Sequence, residues 1–227
     1  INEFKYSSYK NMISILLATY NGEKYIEKSI ESIINQTYKD WELLVGFNGT
    51  IDGSKEIVKK FQDSRIRVFD YGMDASKAKT LNKMLKEATG DWFAIQDDDD
   101  IWLPKKLERQ MLKAQEFDVI GTQIMYINEE DAPTGKPVLS EDDFTIKQKS
   151  FAGDNQVANS SAIFRKTCLE SVGGWSETLE GIEDFDFWLK IMRKEYKFVN
   201  LPSVEVFHRL HSKSNFNTKF FDVNKIL

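Results

Sequence analysis

The chain has 227 residues, enough for one α/β domain with a sizeable core. Its 41% hydrophobic content excludes a disordered chain, and its net charge of −5, with both signs interspersed, excludes the basic field of a nucleic-acid binder. The single cysteine, Cys168, excludes an intramolecular disulfide and a cysteine-type zinc site, and fits a reducing compartment or a cytosolic membrane face.

Met12 to Tyr20 is a short continuous apolar run, which predicts a strand buried on both faces. Asn21-Gly22 is a turn, and Tyr25, Ile26, Ile30, Ile33 and Ile34 then recur at helical spacing through Gln36. Trp41 to Phe47 reads as a second buried strand. Asn48-Gly49 and Asp52-Gly53 punctuate a loop, after which Ser54 is placed to cap a helix from Lys55 to Gln62. Ile66 to Tyr71 is a third strand. Lys77 to Ala88 is a helix with Leu81, Met84, Leu85 and Ala88 on one face, and Gly90 follows its end. Trp92 to Gln96 is a fourth strand, running straight into Asp97, Asp98, Asp99 and Asp100.

Strand and helix thus alternate three times before the acidic run. That pattern implies a mostly parallel sheet with right-handed crossovers, in which ligands bind outside the carboxyl ends of the strands. Thr19 to Asn21, Asn48 to Asp52 and Asp97 to Asp100 all fall there, and are expected to converge on one crevice.

The second half reads differently. Lys105 to Phe117 is a helix and Val119 to Ile127 a strand; charge mixed with apolar residues at Lys55 to Lys60 and Lys105 to Arg109 suggests solvated helix faces. Asn128 to Asp154 is polar, with Pro133, Pro137 and several acidic residues, and reads as a long loop or flap. Cys168 lies in an apolar-periodic stretch and reads as a buried structural thiol. Gly173-Gly174-Trp175, a helix from Phe185 to Lys194 and a strand from Val204 to His208 follow. The tail from Asn215 carries no clear pattern.

Four adjacent carboxylates repel each other, and a cation that neutralises them is the simplest reason to place them after a buried strand. Mg²⁺ and Mn²⁺ take carboxylate oxygens and leave positions open for substrate phosphates. The run therefore points to metal-assisted handling of a phosphorylated substrate, although Asp100 is also placed to cap the helix after Pro104. Thr19 and Tyr20 at a strand end are suited to bonding and stacking a base. Glu183-Asp184 precede a helix, where acidic residues stabilise the N-terminus by about 0.3–1 kcal/mol, and are also placed to supply a general base. His211 lies among Arg209, Lys213 and Ser214, which suit phosphate or metal contacts; His208 ends an apolar strand and reads as structural.

These residues carry a resemblance. The series ISILLATYNGEKYIEKSIESIINQTY, WELLVGFNGTIDGS, GDWFAIQDDDDIWLPKKLERQ and VGGWSETLEGIEDFDFWLKI resembles the family 2 glycosyltransferases of the GT-A fold, in order, over about residues 12 to 214. The resemblance implies a GT-A type three-layer α/β/α sandwich, a nucleotide-sugar donor, Mn²⁺ or Mg²⁺, and inversion at the anomeric carbon. It implies one domain over 1–227, with a nucleotide-sugar half at about 12–104, an acceptor half at about 105–214 and a tail at 215–227. By position, Thr19, Tyr20 and Asn21 match the base-binding strand end. Asp97, Asp98 and Asp99 cover the DxD element, with Asp99 the direct metal ligand, Asp97 and Asp98 near the ribose, and Asp97 and His211 also toward the metal. His211 also matches a segment that closes over the pyrophosphate. Asp184 matches the catalytic base, with Glu183 beside it, and Asn159, Ser160 and Ser161 fall on the acceptor side. The family's Asp-Asp-Gly-Ser after the second strand is here Phe47-Asn48-Gly49-Thr50, so Asn48 stands where an Asp reads the base. An amide there favours a UDP-sugar, with TDP or GDP as the other donors.

The implied acceptor is a hydroxyl on a glycan or polysaccharide, with no nucleic-acid partner. No apolar run approaches the roughly 18–20 residues of a membrane span, and no signal peptide is visible, so a cytoplasmic site or the cytosolic face of a membrane, with peripheral contact, is expected. A start at Ile1 without Met fits a piece of a longer protein. Two other readings share these features. A nucleotidyltransferase also wants paired aspartates and a metal, but Thr19 to Lys24 supplies one Gly and no phosphate loop. A non-catalytic nucleotide- or glycan-binding module of the same fold would bind without turnover.

Overall fold

The computed structural model describes residues 11–73, 76–179, 181–212 and 226. Lys213 and Ser214 lie outside the described residues, as does the tail from 215 apart from Ile226.

The first half is the expected alternation. It comprises β1 (Ile13–Thr19), α1 (Ile26–Ile34), β2 (Trp41–Phe47), α2 (Ser54–Val58), β3 (Ile66–Asp70), α3 (Lys77–Leu85) and β4 (Trp92–Ile95). All pairings among these four strands are parallel. There follow β5 (Ile101–Trp102), α4 (Lys106–Met111), β6 (Val119–Ile127), β7 (Pro133–Gly135), α5 (Asp143–Phe151), a 3₁₀ turn at Asn159–Ser161, β8 (Ile163–Arg165), α6 (Lys166–Val172), α7 (Glu183–Met192) and β9 (Phe198–Arg209). One sheet joins both halves in the order β3-β2-β1-β4-β8-β6-β9-β5, with β7 beside β6. The class is α/β, as expected, but the second half makes the sheet mixed: β8 is antiparallel to β4 and β6, while β9 is parallel to β6.

Side chains alternate across the strands, so one sheet yields two cores. Leu16, Leu44, Phe93 and Ile95 pack with α3, α6 and α7 on one face. Ile15, Leu17, Leu43, Val45 and Ala94 pack with α1, Val58 of α2 and Leu107 of α4 on the other. That double coverage is why β1 and β2 are so rich in apolar residues, with Glu42 the one charge within them.

Register positions the site. Thr19 lies opposite Phe47, so β1 and β2 release Tyr20 and Asn48 side by side. β4 ends earlier, with Ile95 opposite Leu16, and the aspartate run turns past the end of β1.

Several expectations are corrected. Ser54 does not cap α2 but begins it; Asp52 Oδ1 accepts from the Ser54 backbone N at 3.0 Å and from its hydroxyl at 2.6 Å. Asn128 to Asp154 is no structureless loop, because it holds β7 and α5. α5 escapes the hydrophobic pattern because Phe144 and Phe151 are exposed while only Ile146 and Ser150 are buried. Its start is set by Asp142, whose carboxylate accepts from Thr145 N at 2.9 Å. Lys106 is not on a solvated face. It is fully buried, with Nζ 3.8 Å from the Trp102 ring centroid, and burial pushes its ammonium well below the usual lysine range. Cys168 is buried, and burial raises its thiol to about 12, which suits an inert structural residue.

Candidate active site

The three polar clusters meet at the carboxyl ends of β1, β2 and β4. Thr19 Oγ1 donates to Asp98 Oδ2, and Asn48 N donates to Thr19 O at 3.1 Å. Asn21, at φ 54°, accepts from Ile51 N at 2.9 Å. Tyr20 stands 58% exposed at the rim, free to lie against a flat ligand. The carbonyl oxygen of Asn48 is buried and has no hydrogen-bond partner among the described residues. A buried acceptor left unmatched costs about 1–3 kcal/mol, so this atom has the capacity to accept one further hydrogen bond.

Each aspartate has its own neighbour. Asp97 Oδ1 pairs with Lys77 Nζ at the start of α3, so this carboxylate is already partly neutralised. Asp98 is pushed up to about 7 by burial and by the adjacent Asp99 charge, against the Thr19 bond. Burial also works against ionised Asp99, but the His211 bond and the charges of His208, His211 and Lys77 outweigh it and hold its carboxyl below the usual range. Its Oδ2 lies 2.9 Å from His211 Nε2. Asp100 does not cap the helix after Pro104. It is fully buried, accepts from Ser160 Oγ and from Arg209 N at 2.9 Å, and meets His208 Nδ1 at 3.0 Å. That bond fits the structural reading of His208, whose imidazole stays charged to about pH 9 because Asp100, Asp99 and Asp97 overcome the burial penalty.

No three His, Cys, Asp or Glu among the described residues form a ready-made metal cage. The donor set still fits a hard cation completed by its substrate. Asp99 and His211 already touch, and Asp98 beside them is buried against the Asp99 charge, a repulsion that a cation would relieve. Mg²⁺-type sites commonly use one or two protein carboxylates plus phosphate oxygens.

Asp184 sits in the first turn of α7, where its carboxylate accepts from Phe185 N at 2.7 Å. Burial and the Glu183 charge raise it to about 6, against Lys77 and that backbone bond. Glu183 is itself buried and its carboxylate accepts from Gly181 N at 2.5 Å, so it shapes the loop before α7. Ser160 and Ser161 are buried and spend their hydroxyls on Asp100 and the Ala158 carbonyl, which removes them from the acceptor side. Asn159 keeps a side-chain carbonyl oxygen without a partner among the described residues.

Two residues of the site, Lys77 and Gly22, had no site role in the sequence reading, and a third, Arg209, had a different one. Lys77 faces Asp97 and lowers the proton affinity of Asp184; only its placement at the start of α3, on the carboxyl side of the sheet, could have singled it out. Arg209, read from the sequence as suited to phosphate or metal contacts, is instead buried with its guanidinium on the Asp99 and Asn128 carbonyls and Asp131, and that burial is invisible in sequence. Gly22 is a turn residue for a second reason: a Cβ there would run into Asp98 Oδ2 and Thr19 Oγ1. Gly22→Ala is therefore expected to cost about 1–3 kcal/mol of stability and to weaken diphosphate binding, measured by thermal melting and titration; an unchanged affinity would remove Gly22 from the site.

Comparison with known proteins shows the family and the fold. A family model described as Glycosyl transferase family 2 matches residues 14–173. A relative from Escherichia coli, described as UDP-Glc:alpha-D-GlcNAc-diphosphoundecaprenol beta-1,3-glucosyltransferase WfaP, is 28% identical over 92% of this chain and 81% of its own length. Among solved structures, S. aureus TarS 1-349 in complex with UDP-GlcNAc superposes with a TM-score of 0.79 at 19% identity, over 95% of this chain and 63% of that one. Mannosyltransferase PcManGT from Pyrobaculum calidifontis, in complex with GDP-Man and Mn²⁺, gives 0.68 at 20% identity, over 89% of this chain and 58% of that one. The chain thus spans less than two thirds of either solved chain.

Proposed function

The chain belongs to glycosyl transferase family 2, and from that premise we infer that it is a metal-dependent, inverting GT-A enzyme that moves a sugar from a nucleoside diphosphate to an acceptor hydroxyl on a glycan or polysaccharide. The observation that carries this reading is the convergence of Asn48, the Thr19–Asp98 pair, the Asp99–His211 pair and Asp184 around the carboxyl ends of one sheet.

Each residue has a role in the transfer. Tyr20 and Asn48 hold the base, and Asp98 with Thr19 faces the ribose. Asp99 and His211 would hold Mn²⁺ or Mg²⁺, which when bound neutralises charge on the leaving diphosphate. Lys77 offsets the carboxylates between that edge and α7. Asp184 takes the proton of the acceptor hydroxyl as its oxygen attacks the anomeric carbon, and the diphosphate departs from the opposite side. A carboxyl titrating at about 6 is ionised at neutral pH yet more basic than an ordinary aspartate. WfaP, named for a UDP-Glc donor and a lipid-diphosphate acceptor, supports a glycan-type acceptor and a UDP-sugar. No described helix is long and apolar enough to cross a membrane. We place the reaction in the cytoplasm or at the cytosolic face of a membrane, as the lipid-linked substrate in the name of WfaP suggests.

The unpartnered Asn48 carbonyl can accept the N3–H of uracil or thymine, whereas guanine presents paired N1–H and N2–H₂ donors that suit a carboxylate better. UDP is expected to bind in preference to GDP, and a screen of UDP-, TDP- and GDP-sugars with Mn²⁺ is expected to release UDP fastest. Competition titration checks the order. Tenfold tighter binding of GDP would overturn the role given to Asn48, and no diphosphate release from any donor would overturn the transferase reading.

A further inference from the structure

Arg209 is a charged side chain with no exposed surface, and three segments meet on it. Its Nε donates to the Asp99 carbonyl at 3.0 Å, and its Nη1 donates to Asn128 O at 2.7 Å. Its Nη2 lies 2.6 Å from Asp131 Oδ1 as a close ion contact. The guanidinium carbon stands 4.4 Å from the Tyr25 ring centroid. The same ring lies 5.4 Å from that of His211, tilted by 46°, so Tyr25 supports both.

The turn at 128–131 is built to hold its shape. Asn128 Oδ1 accepts from Glu130 N at 3.0 Å and Ala132 N at 2.8 Å, and Asp131 takes φ 65°. The end of β9 is laid along this turn. Leu210 N donates to Ile127 O at 2.8 Å, and Glu129 accepts from Ser212 N. His211 lies between those two anchors and reaches Asp99. Lys24–Glu129 and Lys28–Asp131 tie the turn to the start of α1, but their lysines are more than half exposed, and such pairs contribute little. The Arg209–Asp131 pair differs because one partner is fully desolvated, and a buried charge that loses its partner is strongly destabilised.

We propose that Asp131 and Arg209 are positioning residues that hold His211 against Asp99 and so preset the diphosphate edge of the site. This rests on the glycosyltransferase reading for its consequence, but not for its geometry. Neither residue touches substrate; the pair acts through the Asp99 carbonyl and through the path of residues 209–212.

The chain has two histidines, so imidazole NMR of the ligand-free protein reports His211 directly, with His208 as an internal reference. Asp131→Asn is the informative variant, because Asn tolerates a positive φ as Asp does. The His211 signals are expected to shift and broaden while those of His208 stay. Affinity for UDP in Mn²⁺ is expected to fall roughly tenfold, a common size for coupling between sites. Lys28→Met, which removes only an exposed pair, is expected to leave both readouts within about twofold. Unchanged His211 signals in Asp131→Asn overturn the proposal, as does a shift of His211 with unchanged affinity. A joint shift of both histidines with a large loss of melting temperature also overturns it, because that assigns the pair to general stability. If wild-type protein binds no nucleoside diphosphate, the transferase reading fails, and the ligand-free imidazole comparison still decides whether the pair positions His211.

Discussion

Asp184→Asn is expected to lower kcat by about 10²–10⁴-fold while leaving donor affinity intact, because it removes proton acceptance without removing volume. The wild-type rate should show an acid limb near pH 6, where the raised carboxyl protonates, falling about tenfold per pH unit below it. The variant should lack that limb. A second readout follows from linkage. The carboxyl titrates at about 6 in the folded chain against 3.8 in its unperturbed form, so folding favours its protonated state. The associated stability is fully present below pH 3.8 and is lost as pH rises through 6. Asparagine avoids that loss, so Asp184→Asn should match wild type in stability near pH 4. By pH 8 it should exceed wild type by an amount on the order of 2 kcal/mol. Thermal melting at the two pH values measures this. A variant with near-normal kcat would move the base role elsewhere, with Glu183 the first to test. The first-formed product should carry inverted anomeric configuration, and an NMR spectrum showing retention would sink the single displacement.

Asp99→Ala is expected to weaken Mn²⁺-dependent binding of UDP by at least ~100-fold, since even outer partners of metal ligands commonly account for 10–100-fold. Isothermal titration with and without Mn²⁺ checks it, and an unchanged metal-dependent affinity would falsify the assignment. Repulsion within a four-aspartate run, taken alone, would let this change raise the melting temperature of metal-free protein. The structure reverses that expectation. His211 and His208 hold the Asp99 carboxyl below its usual range, so its negative charge favours the folded state above the ordinary carboxylate range. The melting temperature at pH 7 should therefore not rise.

Much of this was legible in the residue order. Local rules predict β1, β2 and β4 as buried, mainly apolar strands, and these strands are doubly covered in the structure. Asp97 to Asp100 announce themselves by adjacency, and Asp184 by its place ahead of an apolar helix. What the order of residues cannot supply is who faces whom. Four identical aspartates became an ion-pair partner of Lys77, a neutral-leaning partner of Thr19, a partner of His211 and a buried strut for Ser160, His208 and Arg209. Ser160 and Ser161 passed from acceptor contacts to internal bonds for the same reason, and α5 stayed hidden because its two phenylalanines face outward. Periodicity reports which side of an element is apolar, and that survives in one dimension. Burial of a charge, the partner that compensates it and the resulting proton affinity depend on segments some hundred residues apart, such as Asp100 with His208 and Asp99 with His211, and only the closed sheet brings those together.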